Sequence, residues 1–333
     1  MENTTKTFKA FRVEETENGQ FKASIKEIEM EELANEELLV KVHYSSLNYK
    51  DALSASGNRG VTKNYPHTPG IDAVGIIEQS NSQLFNSGEQ VIVTSYDLGM
   101  NTNGGFAEYI KVPASWAIKL PEQLSMKEAM IYGTAGLTAG ISVLRLAEKI
   151  HPSNGQIVVS GATGGVGALS VAILAKLGYD VTAITGKAAE TDYLMKIGAK
   201  EIILRSEFEK LNKKPLLKPT FAGAIDTVGG TILENMIKSV QPMGVITCCG
   251  NVASPKLELT VFPFILRGVS LIGVDSQNYP MDERQKVWQL LANKWKPAQL
   301  MDNCREIGLE ELPESIHQIL NGQLKGRTVI KIA

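Results

Sequence analysis

The stretch Gly161-Ala162-Thr163-Gly164-Gly165-Val166-Gly167 constrains this chain more than any other. Residues 157–160 before it read as a short apolar strand. Residues 166–177 after it read as a helix that Gly178 is placed to end. Glycines at 161, 164 and 167 let the backbone turn tightly, approach a pyrophosphate closely and pack helix against sheet. Amides exposed at the helix start then face the anion. The spacing is Gly-x-x-Gly-x-x-Gly rather than the commoner Gly-x-Gly-x-x-Gly, and a bare glycine triplet also fits any glycine-rich βα connection. The strand before it, the helix after it and three further βα units decide for dinucleotide binding.

The alternation continues with strands at 181–184, Glu201–Leu204, 222–226, 245–249 and 269–274, and a helix at 188–197 closed by Gly198. Nearly continuous apolar strands separated by helices indicate a doubly wound parallel sheet covered on both faces, so the fold class is α/β. Before Pro121 the texture differs: short apolar runs at 38–44, 73–78, 90–94 and 106–112 are broken by turn residues, as in an irregular all-β unit. Ser125 and Glu128 form a capping box that opens a long helix reaching about residue 149. Gly133, Gly136 and Gly140 weaken that helix, so close backbone packing is expected there. Asp282 caps another helix, and residues 327–332 form a closing strand. Two domains are expected, residues 1–126 with 279–333 and residues 127–278.

At the end of the strand after the glycine turn, NAD sites place a carboxylate to hold the ribose hydroxyls. Thr185-Gly186-Lys187 stands there instead, and Arg205 follows the next strand directly. Singly, Lys187 and Arg205 read as solvated cations; together they suit a 2′-phosphate and hence NADPH.

The chain has 333 residues, 43% hydrophobic and 21% charged, enough apolar material for two cores. With 34 basic and 36 acidic residues and a net charge of −2, nothing global recruits nucleic acid or an anionic membrane. Residues 1–10 are polar, and no run is expected to span a bilayer, so a cytoplasmic location is the default. Cys248, Cys249 and Cys304 are too few for a disulfide framework. A zinc site needs three or four clustered ligands, whereas the cysteines all follow residue 247 and His43, His67, His151 and His317 show no ligand spacing, so no metal is expected.

Further stretches are Ser46-Leu47-Asn48-Tyr49-Lys50-Asp51, Pro69-Gly70-Ile71-Asp72, Gly104-Gly105-Phe106-Ala107-Glu108, Asp226-Thr227-Val228-Gly229-Gly230 and Gly326-Arg327-Thr328-Val329. In this order, with the glycine turn, the chain resembles medium-chain dehydrogenases/reductases over essentially its full length. It is most similar to their zinc-independent branch of quinone oxidoreductases and acryloyl-CoA reductases. The branch-specific stretches are Thr185-Gly186-Lys187, Pro263-Phe264-Ile265-Leu266-Arg267 and Gly273-Val274-Asp275-Ser276. Zinc-dependent relatives carry Gly-His-Glu where Gly70-Ile71-Asp72 stands, and a cysteine in the loop holding Ser45 and Ser46. Some relatives that reduce enoyl thioesters carry a tyrosine about ten residues past the counterpart of Asn48; here Gly57-Asn58-Arg59-Gly60 stands instead.

The resemblance implies a Rossmann domain plus a GroES-like irregular β-barrel domain, with the cofactor between them. Thr163, Gly164, Gly165 and Val166 would hold the pyrophosphate, and Thr185, Gly186, Lys187 and Arg205 the 2′-phosphate. Asn251, Ile265 and Ser276 would approach the nicotinamide half from loops, with Tyr49 closing over it and Gly322 reaching the same region. Tyr49 is the candidate proton donor to an enolate, or otherwise a wall over the cofactor; Asn48 is an orienting donor, or otherwise a turn residue. Asp72 would hold local backbone or Lys50, and Arg59 and Lys63 are candidate cations for the phosphates of an acyl-CoA, or otherwise surface charge. The expected activity is NADPH-dependent hydride transfer to the C=C bond of an unsaturated acyl-CoA, acryloyl-CoA in particular. The alternatives are a quinone or enone reductase and an NADPH-binding sensor with little turnover. The apolar 269–274 strand, read as a sheet edge, predicts a homodimer.

Overall fold

The computed structural model describes residues 6–210 and 214–333, so the expectation for the first five residues lies outside the described chain. In chain order the first elements are β1 (Thr7–Glu15), β2 (Phe21–Glu29), β3 (Glu37–Leu47), α1 (Tyr49–Ala55), β4 (Asp72–Ser80), β5 (Gln90–Thr94), β6 (Tyr109–Pro113), β7 (Ala117–Lys119) and α2 (Met126–Ala147). Then come β8 (Ile157–Val159), α3 (Gly165–Lys176), β9 (Val181–Thr185), α4 (Thr191–Lys196), β10 (Glu201–Leu204), α5 (Arg205–Phe208), β11 (Phe221–Asp226) and α6 (Gly230–Ser239). The chain closes with β12 (Val240–Cys248), α7 (Phe262–Arg267), β13 (Ser270–Gly273), α8 (Met281–Ala292), β14 (Cys304–Ile307), α9 (Leu312–Leu320) and β15 (Arg327–Lys331).

Two compact units result. The first holds the chain up to Thr134 with Gln277–Gln285 and Cys304–Ala333, and the second holds Ala135–Ser276 with Lys286–Asn303. Residues 286–303 therefore join the second unit, although the sequence reading placed all of 279–333 with the first. Side-chain contact explains the difference: Val287 and Leu291 pack on Gly140, and Lys196 pairs with Asp302 at 3.0 Å.

In the first unit, seven strands form one sheet in the order β14-β15-β3-β4-β5-β7, with β6 also pairing β3, and β1 and β2 form a separate antiparallel pair. Inward residues such as Val40, Val42, Ile77, Val91 and Val93 are fully buried or nearly so, each contributing about 1.5–3 kcal/mol of burial. β15 runs antiparallel to β3 with Thr328 opposite Leu47, which brings the C-terminal strand to the start of α1.

The second unit is a six-stranded parallel sheet in the order β10-β9-β8-β11-β12-β13. Numbered within the unit this is 3-2-1-4-5-6, the doubly wound order, whose direction reverses between β8 and β11. One face of the sheet buries Val158, Ile184, Ala224 and Ile246 with Ile232, Leu233 and Met236 of α6.

Two sequence expectations are corrected. Helix α2 is long and apolar enough to cross a membrane, with mean hydropathy 1.3 over its most apolar window, against the expectation that no run would be; that window is 83% buried, as in a core helix. Ile265 lies in helix α7 and not in a loop: Pro263 sits in its first turn and Gly268 caps it in the left-handed region, a pairing that defines a short helix.

Candidate active site

The glycine turn follows β8 at the point where the sheet reverses direction. Gly161 has φ 57°, and a Cβ there would lie 2.3 Å from Thr227 Oγ1, so only glycine lets the turn reach the end of β11. Helix α3 starts at Gly165 with Gly164 as its N-cap and no side-chain cap, which leaves its first-turn amides for an anion. Behind the turn a buried clamp fixes its height: Ser160 Oγ donates to Asp226 Oδ1 at 2.7 Å, and Thr227 N donates to Ser160 Oγ at 2.9 Å. Gly229 N donates to Asp226 Oδ2 at 2.8 Å, and burial pushes the Asp226 carboxyl above its ordinary pKa.

One strand over, Leu204 pairs with Thr185, so the ends of β10 and β9 lie side by side. The Arg205 guanidinium packs on Gly186, within 3.2–3.3 Å of where a Cβ would stand, and Lys187 N donates to Thr185 Oγ1 at 3.0 Å. Thr163, Gly164, Gly165 and Val166 thus form one turn at the start of α3, and Thr185, Gly186, Lys187 and Arg205 cluster at the ends of β9 and β10 in the same unit. A nucleotide with a pyrophosphate and a further phosphate fits this donor set: uncapped amides, then a guanidinium and an ammonium.

At the ends of β12 and β13 a cavity of about 600 Å³ is lined by Cys248, Cys249, Gly250, Asn251, Gly273, Val274 and Asp275. Asn251 therefore faces an open space. Ser276 accepts from Thr138 Oγ1 at 2.8 Å. Ile265 is 68% exposed on α7 and does not line the cavity.

The first unit holds the remaining candidates. Tyr49 opens α1, is 40% exposed, and its hydroxyl has no hydrogen-bond partner among the described residues. Asn48 is the N-cap before it, with its backbone N–H donating to Asp51 Oδ2 at 2.8 Å. The Asn48 amide donates to Asp72 Oδ2 at 2.7 Å and accepts from Arg327 Nη1 at 3.1 Å. Gly322 sits just past α9 at φ 65°, with its N–H donating to Ile319 O, a helix-ending role.

Sequence reasoning passed over the network beneath Tyr49. Asp72 is fully buried and accepts from Ser46 Oγ at 2.6 Å, Thr134 N at 2.8 Å and Thr134 Oγ1 at 2.6 Å. Arg327, buried in turn, donates to Ser46 Oγ at 2.8 Å, Leu47 O at 3.2 Å and Ile131 O at 3.0 Å, with Nη2 3.8 Å from Asp72 Oδ2. Asp51 accepts from Ile71 N at 2.8 Å and Gly70 N at 3.2 Å. Burial first, then the Asp72 carboxylate, push the Asp51 carboxyl up to about 7 against these N–H donors. Asp72 thus holds the distant backbone at Thr134, while Lys50 Nζ donates to Gln277 Oε1 at 2.8 Å. Arg327 and Asp51 both lie in motifs singled out in the sequence; nothing local pairs them. Arg59 lies at the surface, where its guanidinium meets Glu15 and Lys63 O and lies over the Phe21 and Tyr65 rings. Among the described residues no group of three or more His, Cys, Asp or Glu is arranged to hold a metal ion.

Residues 34–122 match the alcohol dehydrogenase GroES-like domain, and residues 165–293 match the domain described as zinc-binding dehydrogenase. YhfP of Bacillus subtilis, whose name makes it a candidate quinone oxidoreductase, is 43% identical over 92% of this chain and 94% of its own. The chain belongs to the medium-chain dehydrogenase/reductase family. Within that family it is also similar to the acrylyl-CoA reductase AcuI of Ruegeria pomeroyi, at 37% identity over 95% of this chain and 96% of the other. The YhdH oxidoreductase of Salmonella enterica, solved in complex with NADP, superposes with a TM-score of 0.94 at 39% identity, covering 98% of this chain and all of the other. YhfP itself was solved with NAD bound and superposes at 0.95, with 42% identity and coverage of 98% and 100%. The medium-chain dehydrogenase/reductase assignment gives the fold: a GroES-like unit and a Rossmann unit.

Proposed function

We propose that this protein is an NADPH-dependent reductase acting on the activated C=C bond of an α,β-unsaturated acyl-CoA. One observation carries the nucleotide half of the reading: Arg205 packs on Gly186 beside Lys187, at the strand end where a ribose-binding carboxylate would otherwise stand. The relatives named as acrylyl-CoA reductase and solved with NADP support it; the NAD-bound relative makes the preference a question of degree. The amides of Gly165 and Val166 would hold the pyrophosphate, Lys187 and Arg205 the 2′-phosphate, and Asn251 would line the space for the nicotinamide end. The nucleotide, when bound, supplies a hydride.

What the chain itself contributes is a donor and its support. Tyr49 offers an O–H not committed within the described protein, to bind and then protonate the enolate oxygen or carbon left on the substrate. Asn48, Asp51, Asp72 and Arg327 act as positioning residues, because their bonds fix the first turn of α1 and leave Asn48 no amide aimed at a substrate. A quinone or enone substrate is the second reading, supported by the similarity to YhfP, whose name makes it a candidate quinone oxidoreductase.

A substrate panel with NADPH and NADH in parallel tests this. The first reading expects turnover of acryloyl-CoA with NADPH and none of simple quinones; the reverse profile selects the second. Tyr49→Phe should lower kcat by about 10²–10⁴-fold. Turnover unchanged by that substitution removes Tyr49 as the donor, and the absence of turnover across the whole panel would leave a nucleotide-binding sensor.

A further inference from the structure

Two thiols line the cavity at the ends of β12 and β13, and they are not equivalent. Cys248 is the last residue of β12 and pairs in register with Gly273 of β13. A Cβ built at Gly273 would meet nothing within 4 Å, so Cys248 is flanked by open space on that side. Its Sγ lies 3.8 Å from Asp226 Oδ2, the oxygen that also accepts from Gly229 N, while Oδ1 accepts from Ser160 Oγ. Cys249 directs its Sγ at Asp226 O at 3.3 Å, and burial pushes its thiol well above the ordinary range. Cys304 lies in the other unit, on β14, and serves as an internal control.

From this geometry we propose that Cys248 is a covalent modification site for soft, uncharged Michael acceptors such as maleimides and quinones, and that bound nucleotide shields it. In the step, Cys248 Sγ bonds to the β-carbon, the C=C electron pair moves onto the conjugated carbonyl, and the thiol proton passes to Asp226. That proton, or one from water, then reaches the α-carbon or the oxygen, so that the net change is addition of S–H across the acceptor. No oxidant takes part. Asp226 and Asp275 beside the cavity disfavour anionic acceptors such as free acrylate. Burial and the Asp226 charge raise the Cys248 pKa, so reaction is selective through placement rather than through a standing thiolate. For a protein whose relatives are named for acrylyl-CoA and quinones, both electrophiles, the consequence is that the nucleotide-free form is the vulnerable one.

The shielding half rests on the reading that the nicotinamide end occupies this cavity; labelling of Cys248 does not. The test treats full-length protein with N-ethylmaleimide near neutral pH and maps adducts by peptide mass spectrometry, while NADPH binding is followed separately by fluorescence. The expected result is a first adduct on Cys248, lost in Cys248→Ser and in Cys248→Ala, and slowed about tenfold or more by saturating NADP+. Adenosine 2′,5′-bisphosphate, which fills the phosphate end alone, should not slow it. A first adduct on Cys249 or Cys304 overturns the site. Unchanged Cys248 labelling in protein shown to bind NADP+ overturns the shielding, whereas failure to bind NADPH with Cys248 still labelled first overturns the functional reading and leaves the site standing.

Discussion

Lys187 and Arg205 come from successive βα units and stand at neighbouring strand ends because Leu204 pairs with Thr185. A charge-assisted contact to phosphate contributes about 1.5–3 kcal/mol, so Lys187→Ala and Arg205→Ala should each raise KM for NADPH by about tenfold or more. Kinetics with NADH should change little, and equal losses with both nucleotides in steady-state assays would argue against a 2′-phosphate site. Asp51 carries a stability signature. Its folded pKa, about 7, lies above the unfolded value of about 3.9, so between those limits the native state binds the extra proton. Its contribution is therefore present at low pH and lost as pH rises through about 7. The gap in melting temperature between wild type and Asp51→Asn should shift against wild type across that window; a gap constant with pH would show Asp51 ionised throughout.

At the scale of elements, α2 shows how a rule of helix propensity yields to packing. Gly133 interrupts it at φ 49° and ψ −153°, where a Cβ would stand 2.4 Å from Asp72 Oδ2 and 2.6 Å from Ser46 Oγ. The helix is thus two segments joined where the backbone presses on a buried carboxylate, and Thr134 N turns to donate to that same carboxylate. Gly133→Ala adds backbone strain and a clash to this network, and should destabilise by about 2–4 kcal/mol in chemical denaturation. A loss below about 0.5 kcal/mol would mean that the network relaxes around the methyl. The weak Gly-x-x-Gly-x-x-Gly signal is likewise sharpened by its element context: the turn stands where the parallel sheet reverses, and α3 has no side chain capping its amides.

For the whole molecule, the chain builds most of the GroES-like unit, then the Rossmann unit, and returns to complete the first sheet with β14 and β15. Strand β13 ends the parallel sheet as an edge, and Leu271 on it and Phe262, Ile265 and Leu266 on α7 are exposed apolar side chains. An open edge beside such side chains favours pairing with a second copy, so we expect a homodimer formed through β13. Light scattering should give twice the chain mass, and Leu271→Lys should shift the protein toward monomer. A wild-type monomer at micromolar concentration would count decisively against this.

The sequence by itself determined what acts over a few residues: the βα alternation, the Ser125–Glu128 cap, the glycine turn before α3, and Lys187 and Arg205 with no carboxylate directly after the strands they follow. Periodicity, capping and glycine geometry are local properties, so they survive translation into a linear text. Tertiary structure alone decided the rest. Arg327 meets Asp72 because β15 pairs with β3, Arg59 is drawn to Glu15 and two rings, and Ile265 winds into a helix between Pro263 and Gly268. Burial and charge pairing depend on which distant strands become neighbours, and desolvation then fixes how strongly those charges must find each other.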